Sequence, residues 1–145
     1  MRPSELWKCK VKTREDGIVY FNLTDKDIEL KTLTSRRKIP LHKKLLDMGI
    51  QHKLPYLQSA FTQVAISIYF NKTIKPIISE GSHKILYSCR STVATTLKQS
   101  SSDVDIDKIS ELLGHRYNNS TITKEVYAKG YTLKQLQEAI NQLDY

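Results

Sequence analysis

Arg90, His115 and Tyr127 stand in the second half of the chain in the order and rough spacing that DNA strand transfer by a tyrosine oxygen requires. Attack on a phosphodiester builds negative charge on the nonbridging oxygens. A planar guanidinium forks onto two such oxygens, whereas an ammonium offers only a point charge. Arg2 and Arg90 are the candidate forks, and Tyr127 is the candidate nucleophile, since a tyrosyl phosphodiester keeps the bond energy needed for religation. Of the seven other tyrosines, Tyr117 and Tyr131 lie nearest. Tyr117 follows His115 by only two residues, and Tyr131 suits a hydrophobic contact at a helix start. His115 can donate to phosphate or relay a proton; the alternative is a polar residue that only satisfies the end of a helix. This chemistry needs neither metal nor nucleotide, so no cofactor is expected. The four histidines and two cysteines also lack ligand-type spacing.

Composition is compatible with a nucleic-acid partner. The 145 residues amount to about one domain able to bury its own core. Twenty-three Lys and Arg against fifteen Asp and Glu give a formal charge of +8, and the pI near 9.5 attracts polyanions. Solvated lysine faces are the bland alternative. No apolar run approaches the ~20 residues of a spanning helix, and no signal peptide opens the chain. Cys9 and Cys89 suit a reducing cytoplasm and read as small core residues.

The elements that must position these groups follow from local pattern. Pro3 marks an early helix position, and the first ten residues read as the tail of a helix. Asp16-Gly17 signals a turn before the extended stretch Ile18 to Asn22, with Arg36 to Leu41 extended again and Ile28 to Thr32 the candidate third strand. From Pro55 the period is helical, and Leu57, Phe61, Val64 and Ile68 read as a core stripe. Residues 72 to 81 read as a loop, Ser88 as the cap of a helix with Val93, Ala94 and Leu97 inward, and Gln99 to Asp103 as another loop. Asp105 caps a helix with Ile106, Ile109, Leu112 and Leu113 buried and Gly114 as its stop. Asn118 to Thr121 is a further polar loop. Thr132 to Gln135 has the form of a capping box, with Tyr131 and Leu136 as a staple and Leu133, Leu136, Ile140 and Leu143 as the apolar stripe. The expected fold is α+β: a mainly helical domain with a small three-stranded antiparallel sheet near its start.

Five short runs in order resemble the catalytic domain of the tyrosine recombinases, or phage integrases, over nearly the whole chain. They are Arg2-Pro3-Ser4-Glu5-Leu6; Leu30-Lys31-Thr32 with Ser35 to His42; Cys89 to Thr95; Leu112-Leu113-Gly114-His115; and Tyr127-Ala128-Lys129-Gly130-Tyr131. The resemblance implies site-specific recombination through a 3′-phosphotyrosyl intermediate. It assigns Arg2, Lys31, Arg90, His115 and Tyr127 to catalysis, with Lys31 as general acid for the leaving 5′-oxygen, an effect typically of ~10²- to 10⁴-fold. Glu5 would orient Arg2 or cap its helix. One position departs: where the family has His, three residues before the second arginine, this chain has Tyr87. A phenol of pKa about 10 can hold phosphate but is a poor base near neutrality. His83, four residues earlier, is a weak substitute.

The resemblance further implies double-stranded attachment sites as partner, a homotetramer on DNA for a full-length protein and a monomer for this chain alone. It also implies an N-terminal DNA-binding domain and a preceding catalytic-domain helix, which this chain is expected to lack. Thr132 to Tyr145 is the segment that could pass between subunits. Arg36, Arg37, Lys38, Lys43 and Lys44 form the expected rim for the DNA backbone, positioning it without reading sequence. The alternatives are a catalytically impaired DNA-binding remnant, a type IB topoisomerase-like relaxing enzyme, and a basic interaction module. A salt titration addresses the shared premise. Each engaged phosphate is expected to contribute roughly −0.9 to the slope of log affinity against log salt on duplex DNA, and a slope near zero would remove DNA as the partner.

Overall fold

The structure is a computed structural model that describes residues 1–32, 35–78, 83–100, 104–115 and 130–144. It has the expected α+β character. A one-turn helix α1 (Pro3–Leu6) has Pro3 in its first turn, where a missing N–H costs nothing. Three antiparallel strands follow, β1 (Lys10–Thr13), β2 (Val19–Asn22) and β3 (Lys38–Pro40), with β2 central. Phe21 stands opposite Val11 on one side and Ile39 on the other. Gly17, at φ +83°, closes the β1–β2 turn in the left-handed region that glycine enters without steric cost.

The third strand is therefore Lys10–Thr13, not Ile28 to Thr32, and the helical start ends at Leu6. Arg36 holds the backbone just before this segment and at its first residue. Its guanidinium donates to the carbonyls of Thr24, Asp25 and Ile28, so the 24–28 backbone closes on a side chain instead of a ladder.

Helices α2 (Lys43–Asp47), α3 (Ile50–Ala60), α4 (Gln63–Tyr69), α5 (Lys75–Ile78), α6 (Ser88–Ser100), α7 (Ile106–Leu113) and α8 (Leu133–Ile140) complete the described elements. Core residues converge from the sheet and from α3, α6, α7 and α8: Phe21, Leu41, Leu54, Leu97, Leu112 and Leu136 belong to one cluster. Asp105 accepts from the Lys108 amide and starts α7. Thr132 and Gln135 form the capping box of α8. That helix packs against β3, and beyond it the Leu143 carbonyl meets His42 and the Asn141 side chain accepts from the Lys43 amide.

Five local expectations are corrected. Phe61, Val64 and Ile68 are exposed, at 44, 67 and 49%, and Leu57 is only half-buried. Phe61 is extended and Thr62 caps a new helix, so the apparent stripe spans two helices whose phases do not join. Residues 72–78 are helical, passing through a π turn at Phe70–Ile74 into α5. Pro76 cannot donate within a helix, and the widened turn just before it accommodates that loss. The helix α6 runs on to Ser100. Ile106 and Cys89 are exposed, whereas Cys9 is buried, which pushes its thiol up to about 11. No helix among the described residues is long and apolar enough to cross a membrane.

Leu97 is fully buried where α6 meets the core. Leu97→Ala is expected to cost about 2–5 kcal/mol, read from urea denaturation; a change below ~1 kcal/mol would show that α6 does not anchor the core.

Candidate active site

The site is built around one carboxylate. Glu5, in the first turn of α1, is buried, and its two oxygens serve two arginines. Arg2 Nη1 donates to Oε1 at 2.8 Å, and the Arg2 amide donates to Oε2 at 2.6 Å. Arg37, from the start of the third-strand segment, donates through Nη2 to Oε2 at 3.0 Å and through Nη1 to Oε1 at 3.4 Å. Burial alone would raise the Glu5 carboxyl, but hydrogen bonds from Arg37 and Arg2 outweigh it and hold the group below the usual carboxylate range. The expectation that Glu5 orients Arg2 agrees with this geometry.

Arg37 corrects the expected DNA rim. It is only 6% exposed, too deep to reach a DNA backbone, and it also donates to the Ser35 and Leu112 carbonyls. It is a structural cation, missed as such because its neighbours in sequence, Arg36 and Lys38, are exposed.

The C-terminus of α7 supplies the second half of the site. Gly114 takes a left-handed conformation at φ +68°, the His115 amide returns to the Ser110 carbonyl, and the Gly114 amide returns to Glu111. This Schellman pattern leaves the Leu112 and Leu113 carbonyls outward, at the negative end of the helix dipole. Arg37 Nε takes Leu112 at 2.9 Å, and Arg90 Nη2 takes Leu113. The Leu-Leu-Gly-His run thus seats two arginines and pins the backbone of His115.

Arg90 lies in the first turn of α6 and is buried, yet among the described residues its Nη1 has no hydrogen-bond partner. A buried charged donor without a partner is costly, and an anion is the chemistry that would satisfy it. Arg90 shares a cleft with Arg2, Tyr87 and Cys89, over an apolar floor that includes Leu6 and Trp7. Arg2 also borders a second, more polar cleft with Lys31, Lys8 and Glu29. Arg2 spends Nη1 on Glu5 and Ser35, and its Nε and Nη2 make no hydrogen bond among the described residues. Lys31 is exposed on a bend.

His115 is exposed at the edge of this cluster. Partial burial, then the positive charges of Arg90, Arg2 and Arg37, pull its pKa below the ordinary imidazole value. Neutral pH therefore finds it uncharged, able both to donate and to accept. Burial likewise lowers the pKa of Arg90, with Tyr87 opposing and Arg37 and Arg2 adding to the effect.

Among the expected residues, the structure brings Arg2, Arg90 and Tyr87 to one cleft, Arg2 and Lys31 to another, and His115 within electrostatic reach of both arginines. Arg36 and Lys38 are exposed beside the sheet, Arg36 held by loop carbonyls and Lys38 over the Tyr20 ring. Lys43 and Lys44 are exposed at the start of α2. Tyr127 lies outside the described residues. Ser35 was not anticipated; its signal was its place in the Ser-Arg-Arg run.

Comparison with family models, curated proteins and solved structures yields no match to any of them.

Breaking the buried pair tests the hub. Glu5→Gln is expected to cost about 3–5 kcal/mol at neutral pH, because Arg37 is left buried without its counter-charge. The native carboxyl is held below its ordinary value of 4.5, so its stabilisation is present above that value and is lost as pH falls through the lower folded value. Urea denaturation across this range should show wild type and Glu5→Gln converging in acid; a constant difference would contradict the ion-pair account.

Proposed function

We propose that this chain cuts and rejoins DNA in site-specific recombination, as in phage or mobile-element integration and excision, through a 3′-phosphotyrosyl intermediate. The observation that carries the reading is that Arg2 and Arg90 line one cleft, Arg2 and Lys31 a second, and His115 feels the charge of both arginines, while Arg90 Nη1 has no hydrogen-bond partner among the described residues. Residues this distant in sequence line two neighbouring clefts that share Arg2, and a phosphate is the group their donors suit. Five motifs in family order add the nucleophile, and Tyr127 is assigned by the Tyr-Ala-Lys-Gly-Tyr run.

In this mechanism the Tyr127 oxygen attacks phosphorus while the bond to the 5′-oxygen breaks. Arg2 and Arg90 stabilise the charge that gathers on the nonbridging oxygens. Lys31 gives a proton to the leaving 5′-oxygen, and His115, neutral at physiological pH, accepts the phenolic proton or donates to phosphate. Religation reverses these steps with another strand's 5′-hydroxyl, so no external energy source is consumed. Arg36, Lys38, Lys43 and Lys44 hold the DNA backbone, and two attachment sites are joined by a homotetramer.

A second reading, a catalytically impaired DNA-binding remnant, is favoured by Tyr87. It borders the Arg2–Arg90 cleft where the family places a histidine, and a phenol moves protons poorly near neutrality. The two readings part on a nicked suicide substrate carrying the candidate site. Wild type is expected to form a covalent adduct on a denaturing gel and Tyr127→Phe none, while Arg2→Ala and Arg90→Ala slow its formation about 10²–10³-fold. DNA binding without an adduct would support the remnant instead.

A further inference from the structure

We infer that Ser35 is a positioning residue that locks the Arg2 guanidinium to the bend carrying Lys31, so that phosphate binding and proton delivery are set by one relay. The inference rests on the proposed strand transfer. Ser35 is fully buried. Its Oγ accepts from Arg2 Nη1 at 2.6 Å and lies 2.9 Å from Thr32 Oγ1. A hydroxyl has one proton and two lone pairs, so Ser35 can accept from Arg2 while donating to Thr32. Its amide also donates to the Thr32 carbonyl at 3.0 Å, and its own carbonyl accepts from Arg37 at 2.8 Å. Thr32 is the residue next to Lys31. One side of Ser35 is thus tied to the Glu5–Arg37 pair and the other to the backbone beside the proton donor. Glu5 alone fixes Arg2 through Nη1, and a guanidinium held at one nitrogen from one side can still swing; the Ser35 contact supplies the second restraint.

The test is single-turnover cleavage by wild type, Ser35→Ala and Thr32→Val on two suicide substrates, one normal and one with sulfur replacing the leaving 5′-oxygen. A thiol of pKa about 8.5 departs without a donated proton. Ser35→Ala is expected to slow the normal substrate about 10- to 100-fold, as small misplacement of catalytic groups does, with DNA affinity within about twofold of wild type. Sulfur should recover part of that loss, the remainder being the loosened Arg2. Thr32→Val, at an exposed site, should show a smaller loss that sulfur recovers almost fully, and it decides the matter if Ser35→Ala does not fold. Wild-type rates in both variants, or losses identical on both substrates, would overturn the inference. If wild type forms no adduct, strand transfer itself fails, and the restraint is read from nitrogen-15 spectra of the Arg2 side chain. Slow guanidinium rotation in wild type and faster rotation in the variants upholds the positioning role; equal rotation overturns it.

Discussion

The carboxylate of Glu5 is the point on which the site depends, because it lies buried between two guanidiniums that enter from different parts of the chain. A carboxylate so placed is tolerable only with its charge matched, and each arginine near it is oriented by the same demand. Arg37 is spent wholly on the interior, bracing α1 against the segment leading into β3 and against the end of α7. Arg2 gives Nη1 to Glu5 and Ser35, and among the described residues its Nε and Nη2 make no hydrogen bond. The same network that secures the fold therefore leaves a directed donor at its rim.

The end of α7 works in a complementary way. A helix must dispose of its last carbonyls, and here two of them receive arginines rather than water. The negative end of the helix dipole helps to tolerate several cations in a small volume. Even so, positive charge is in excess. Among the described residues Arg90 keeps an unpaired buried nitrogen, and His115 is discouraged from taking a proton by partial burial and then by the charges of Arg90, Arg2 and Arg37. A phosphate group would relieve both conditions at once: it would pair the free donor and reverse the sign of the field at the imidazole. Catalysis by preformed donors has this character, since the cost of holding like charges together is met by folding and not during the reaction.

Much of this architecture was legible in the sequence, and the exceptions have specific causes. The caps at Asp105 and Thr132 and the stop at Gly114 were readable because capping is decided by a few adjacent residues. The stripe from Leu57 to Ile68 misled because periodicity assumes one continuous helix, and the extended Phe61 with the Thr62 cap resets the phase. The strand assigned to Ile28–Thr32 does not form, and its first carbonyl, Ile28, is held by Arg36, which also takes the carbonyls of Thr24 and Asp25 just before it. At the candidate site, Arg2 and Arg90 were chosen from the chemistry that phosphate demands, and both line one cleft. Arg37 was mistaken for a surface contact because its burial depends on Glu5, thirty-two residues away, and on the Leu112 carbonyl, seventy-five away. Ser35 offered no chemistry of its own to sequence reasoning; its value comes entirely from what it touches.

The claim that these residues form one anion-binding centre is tested most directly by following the His115 imidazole by NMR through a pH titration, without and with sulfate, whose charge is constant across the range. The account predicts a pKa below the ordinary 6.5 in the free protein, rising when sulfate sits against Arg2 and Arg90. An ordinary pKa that sulfate leaves unmoved would mean that the arginines and His115 do not share a site.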